Sequence, residues 1–184
     1  MIDERIGMGL DVRAGAGLRA GAAIGGLAMR TRFKVVCRGR DGTVKWTDDV
    51  HNLVHDDALN DLLAVRFKAS AYTSDDYIGL KAAGTIAAGD NLASHAGWAE
   101  VTDYTGDRKA LVPGTVSGQS LDNSGSPAEF VFTAAVTVAG CFIATVATGT
   151  AGVLYGTANF SVPRDMEIDD KLEITATLTA SDDS

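Results

Sequence analysis

Three histidines and a scatter of neighbouring carboxylates are the residues of this 184-residue chain best suited to chemistry. His51 and His55 are four apart, a spacing that on a helix places two imidazoles around one metal ion. Their surroundings, Asp48-Asp49-Val50-His51-Asn52-Leu53-Val54-His55-Asp56-Asp57, alternate like a strand or loop, and no Glu follows His51 as in a zinc protease. A solvated, acid-rich turn is therefore expected, with no metal. Ser94-His95 sets a nucleophile beside a base, but adjacent side chains point apart and no G-x-S-x-G elbow is present. Asp75-Asp76, Asp169-Asp170 and Asp182-Asp183 lie in turns or at the tail. Weak calcium binding or a glycosidase pair is the chemistry such groups allow, and nothing selects two of them. Gly149-Thr150-Ala151-Gly152 lacks the Lys-Ser/Thr of a phosphate loop, so it reads as hairpin glycines. Trp46, Trp98, Tyr77 and Tyr104 either line a sugar site or pack the core and rim of a small domain, the commoner use of such rings. The expectation is no catalytic residue, no cofactor and no enzyme.

Composition limits the scaffold that could position any of these groups. Hydrophobic residues at 46% and charged residues at 22% suffice for a packed core. With 21 glycines and aromatics at 7%, that core must come mainly from Ala, Val, Leu and Ile between frequent turns. No uncharged run of 18 apolar residues occurs, and the acidic Met1-Ile2-Asp3-Glu4-Arg5 opening lacks the basic and greasy pattern of a secretion signal. Cys37 and Cys141 sit in apolar, strand-like stretches and read as buried free thiols of a reducing compartment, with a bridge between them also open.

Charge is uneven. Eight basic and three acidic residues up to residue 40 give +5, and the rest of the chain carries −13. An acidic body repels nucleic acid and anionic membrane, so neither is expected as a partner.

Residues 1–30 read as a basic, Gly/Ala-rich arm: Gly weakens both helix and strand, and few large apolar side chains are present. Arg5, Arg13, Arg19, Arg30 and Arg32 are its candidate partner-binding residues. Residues 31–184 read as an antiparallel β-sandwich of the jelly-roll kind with one short helix. Phe33, Val35 and Cys37 alternate with polar residues up to a turn at Arg40-Asp41-Gly42, and Asp56–Phe67 has helical spacing with acids in its first turn. Tyr77–Lys81 and Lys109–Val112 read as short strands, and 84–97 and 113–127 as loops. Phe130, Phe132, Val136 and Val138 follow, then apolar runs after Gly140 and Gly152. Leu172, Ile174, Ala176 and Leu178 alternate with Glu173, Thr175, Thr177 and Thr179, a strand with one wet face.

Tyr77-Ile78-Gly79-Leu80-Lys81, the run from Ala87 through Asp90, Ser94, His95 and Trp98 to Glu100 and Val101, and Tyr104-Thr105-Gly106-Asp107-Arg108 together resemble a family of tailed-bacteriophage virion proteins. Its pattern is a W/Y-x-G-L strand, then D-x-x-A-S-H-x-G-W-x-E, a Tyr, and an Arg opening the next strand. Upstream, Trp46 to Val54 and Ala58 to Leu63 resemble its W-x-x-x-x-x-N-L-V and G-L-N-x-L-L entry, and Ile168–Leu172 its step into the last strand, with Asp169 in place of the usual Gly. The resemblance spans about residues 31 to 180.

That resemblance implies a head or tail structural protein, with capsid decoration foremost. A non-enzymatic cement protein is then expected on the outer capsid surface of the virion, assembled in the host cytoplasm. Its partner would be the major capsid protein, reached through the arm, and it would self-associate as a symmetric oligomer, a trimer by preference. Asp90, Ser94 and His95 are expected to bond loop backbone, Trp98 to anchor that loop, and Arg108 to pair with Glu100 or Asp103. The alternative is a tail or head-fibre component binding host-surface carbohydrate through Trp46, Trp98 or Tyr104.

Overall fold

A computed structural model describes residues 27–71 and 75–182. Two antiparallel sheets form the body. One orders β2 (Val44–His51), β1 (Leu27–Arg38), β11 (Lys171–Asp182) and β7 (Ser120–Asp122), with β8 (Ala128–Val131) also on β11. The other orders β3 (Leu53–Val54), β10 (Leu154–Met166), β9 (Val136–Ala144), β4 (Tyr77–Lys81) and β5 (Glu100–Val101), with β6 (Lys109–Ala110) on β4.

Alternation builds the shared core. Phe33, Val35 and Cys37 of β1 and Leu172, Ile174 and Ala176 of β11 are buried against Ile78 and Leu80 of β4 and Cys141 and Ile143 of β9. A period of two sends their neighbours Arg32, Lys34, Thr175 and Thr177 to the opposite, wetter face. β1 and β11 pair along twelve residues, from Leu27↔Asp182 to Arg38↔Lys171. The turn between β1 and β2 has Gly42 at φ +83°, where a side chain would be strained.

Four local differences from the sequence reading have identifiable causes. β7 falls within the expected 113–127 loop, because the edge of β11 offers it a partner from Thr177 to Thr179. β9 runs unbroken through Gly140, and β10 unbroken from Leu154 to Met166, the latter pair absorbing the apparent breaks as register shifts. The helix, α1 (Asp56–Lys68), begins after His55, which makes no side-chain cap, while Asp56 and Asp57 occupy the first turn. Its leucine spacing does not face the core: only Ala58 is buried, and Leu59, Leu63 and Phe67 are exposed along one stripe.

Candidate functional site

The motif residues meet on the outer face of the second sheet, within and beside the segment 82–99. Glycine closes the base of this segment. Ala82 N–H donates to Ala99 O at 2.9 Å and Thr85 N–H to Gly97 O at 3.1 Å. A Cβ on Gly84 would lie 2.0 Å from Gly97 O, and one on Gly97 would lie 2.3 Å from Thr85 O, so the two chains can touch only without side chains.

Trp98 fastens the segment down. Its ring packs on Phe142 of β9 with centroids 5.3 Å apart, inside a small cluster with Leu92, Ala144 and Leu154. The indole N–H donates to Asp90 Oδ2 at 3.0 Å, and the same oxygen accepts Ala87 N–H at 3.0 Å. His95 stacks on the indole at 3.9 Å and donates from Nδ1 to Trp98 O at 3.0 Å. Ser94 acts through its backbone: its N–H reaches Asn91 Oδ1 at 2.8 Å, and its carbonyl accepts Asn91 N–H. Ser94 and His95 therefore serve a turn, and the segment bonds itself at each of these positions.

Arg108 ties the adjoining turns to the sheet. Nε and Nη2 donate to the two carboxylate oxygens of Glu100 at 2.8 and 2.7 Å, and Nη1 and Nη2 donate to the carbonyls of Val146 and Gly149, each at 3.0 Å. The Arg108 side chain is 4% exposed, and its guanidinium lies 5.3 Å from the Phe142 ring centroid. A planar fork meets a carboxylate and two carbonyls at once, which a lysine ammonium does not reproduce. Of the two expected partners, Glu100 is the one engaged.

The other sequence candidates separate. Arg5, Arg13 and Arg19 lie outside the described residues. Arg30 and Arg32 do not belong to an arm: they sit within β1, opposite Thr179 and Thr177 of β11, and Arg32 forms an ion pair with Asp49 of β2. Positive charge is thus a property of β1 and the turn that follows it. Residues 1–26 hold three basic and three acidic residues, whereas Arg30, Arg32, Lys34, Arg38 and Arg40 supply the whole excess. The low side of the carboxylate range is where Arg32 holds Asp49, chiefly through their hydrogen bonds.

His55 is not on a solvated turn. It is fully buried, donates from Nδ1 toward Ala88 O at 3.4 Å and accepts from Thr157 Oγ1 at Nε2, 2.7 Å away, while His51 is exposed. No group of three or more metal-ligating side chains occurs among the described residues. Trp98 and Tyr104 are buried and Trp46 is half-buried against Phe160. Cys37 and Cys141 are buried free thiols; burial pushes Cys37 up to about 11 and Cys141 higher still. Asp170 is buried and accepts Lys45 Nζ at 2.8 Å, which keeps the ammonium charged well above its ordinary range.

Sequence reasoning missed the surroundings of two polar groups. Asp76 is pushed up to about 6, first by burial and then by Asp61 and Asp75. Lys81, at the end of an ordinary-looking strand, is fully buried. A strand pattern shows which residues share a face, but a covering loop leaves no periodic signal.

No protein-family model and no curated protein matches this chain. Among the described residues, no helix is long and apolar enough to cross a membrane.

Proposed function

We propose that this chain is a non-enzymatic virion structural protein, a capsid decoration protein seated on the outer head surface of a tailed phage and bound to its major capsid protein. The observation that carries this reading is the use to which the motif is put. Asp90, His95, Trp98, Glu100 and Arg108 each hold another part of the same chain. The residues behind the family resemblance are thus fold-specifying, as suits a protein whose task is to be rigid.

The jelly-roll reading rests on nested pairing: the outermost strands β1 and β11 are neighbours in one sheet and β3 and β10 in the other, with β2 outside the nesting as the hairpin partner of β1. The β9–β10 hairpin within one sheet departs from that scheme. Self-association, as a trimer by preference, has a surface to use. Leu59, Leu63 and Phe67 recur every four residues on α1 and are 43%, 55% and 78% exposed, an apolar stripe of the kind that marks protein contacts. The carbohydrate alternative is weaker because two of its three rings are buried, Tyr104 in the main core and Trp98 in the small cluster on the outer face of the second sheet.

Anchoring is assigned to residues 1–26, with the basic face of β1 beside them as a second contact for acidic capsid surface. The test uses heads produced without this chain. Recombinant full-length protein is expected to saturate them, and protein lacking 1–26 but keeping β1 intact to occupy them poorly. Equal occupancy by both refutes the role of the segment; no occupancy by the full-length chain refutes the decoration reading.

A further inference from the structure

We propose that Lys81 and Asn159 are the site of an intramolecular isopeptide bond, formed between the lysine Nζ and the asparagine Cγ across three strands of the second sheet. Their placement is specific. Lys81 of β4 is in register with Gly140 of β9, and Gly140 with Asn159 of β10, so the three form one transverse row. Gly140 keeps the path open: a Cβ there would lie 3.1 Å from Lys81 Cγ and 2.1 Å from Ala158 O. The lysine therefore reaches across the central strand, and its Nζ donates to Asn159 Oδ1 at 2.6 Å.

The surroundings suit acyl transfer. Lys81 is fully buried and Trp98 roofs it, with the ammonium 5.8 Å from the ring centroid. Its hydrogen-bond acceptor is a neutral amide, and burial lowers its pKa, so neutral amine is more accessible than on a surface lysine. The hydrogen bond to Oδ1 holds the nitrogen beside the amide carbonyl, and such fixed proximity replaces much of the entropic barrier.

The step balances without a co-reactant. The Nζ lone pair adds to Cγ, one Nζ proton passes to Nδ2, and the Cγ–Nδ2 bond breaks. One amide is made, one is lost, and ammonia departs. Asn159 is exposed on this face, so solvent water can relay that proton. A recess lined by Ala83, Gly84, Ala139, Asn159, Phe160 and Pro163 borders the asparagine and provides the exit. The bond would clamp β4 to β10 over β9, and the inference stands apart from the proposed function.

Intact mass of the denatured full-length protein tests it, with peptide mapping and the variants Lys81→Met and Asn159→Ala. The expected wild-type mass is lower than the sequence mass by one ammonia, with a branched peptide joining the segments that contain Lys81 and Asn159. Both variants should keep their full sequence mass. A wild-type protein at full mass after prolonged incubation at mildly alkaline pH overturns the proposal. So does an ammonia loss that persists in Lys81→Met, which would mark a cyclic imide elsewhere. The branched peptide is read from the wild type, so the result holds whether or not either variant folds.

Discussion

Replacing Arg108 by methionine removes four hydrogen bonds while keeping an aliphatic chain against Phe142. The Arg108 side chain is 4% exposed and that of its partner Glu100 23%, so the substitution leaves a mostly covered acidic side chain without its counter-charge. Removing one member of a buried ion pair costs about 3–5 kcal/mol. Glu100 regains some hydration through its exposed fraction, which puts the expected loss at the lower end, about 3 kcal/mol. A domain of this length loses about 2–4 °C of melting temperature per kcal/mol, so the midpoint should fall by roughly 6–12 °C. Calorimetry, with urea unfolding followed by tryptophan fluorescence, reads it. Adding Glu100→Gln to Arg108→Met should restore about 1 kcal/mol, because a neutral amide tolerates burial better than an unpaired charge. A midpoint shift under about 2 °C would refute the view that this fork holds the turns to the sheet. Destabilisation with no recovery in the double variant would trace the loss to packing alone.

Asp76 gives a pH test with a definite sign. Its folded-state pKa, about 6, lies above the ordinary 3.8, so the native state binds the extra proton and stability falls as pH rises through that window. Asp76→Asn should therefore stabilise by on the order of 1–2 kcal/mol at neutral pH and by little at acidic pH, and urea midpoints showing one difference at both would contradict it. Gly97→Ala brings a Cβ to 2.3 Å from the Thr85 carbonyl. A loss of about 1–3 kcal/mol and faster hydrogen exchange across 84–97 are expected. Phe67→Asp should lower the oligomeric state seen by sedimentation without lowering the melting point, since that ring is 78% exposed. Both thiols should resist a thiol reagent in the native protein and react on denaturation, as burial keeps them protonated.

Much of this protein was legible along the chain. Alternation at Phe33, Val35 and Cys37, and at Leu172, Ile174 and Ala176, is a local property of a pleated backbone, and it marked the inward faces of β1 and β11 correctly. The turn at Gly42, the helix after His55 and the pairing of Arg108 with a nearby acid, Glu100 or Asp103, were readable for the same reason: each depends on residues close in sequence, and the structure selects Glu100. What lies over a face is decided by segments far away. The arm boundary was set at residue 30 by a change in local composition, yet Leu27–Arg30 are strand because Thr179–Asp182, at the other end of the chain, supply hydrogen bonds. His55 carries an acid-rich, surface-like context and is nevertheless enclosed between Ala88 and Thr157. Lys81 looks like a solvated strand end until Trp98 folds over it and Gly140 opens its way to Asn159. Periodicity tells which side chains share a side of a sheet; only the closed fold determines whether that side meets water.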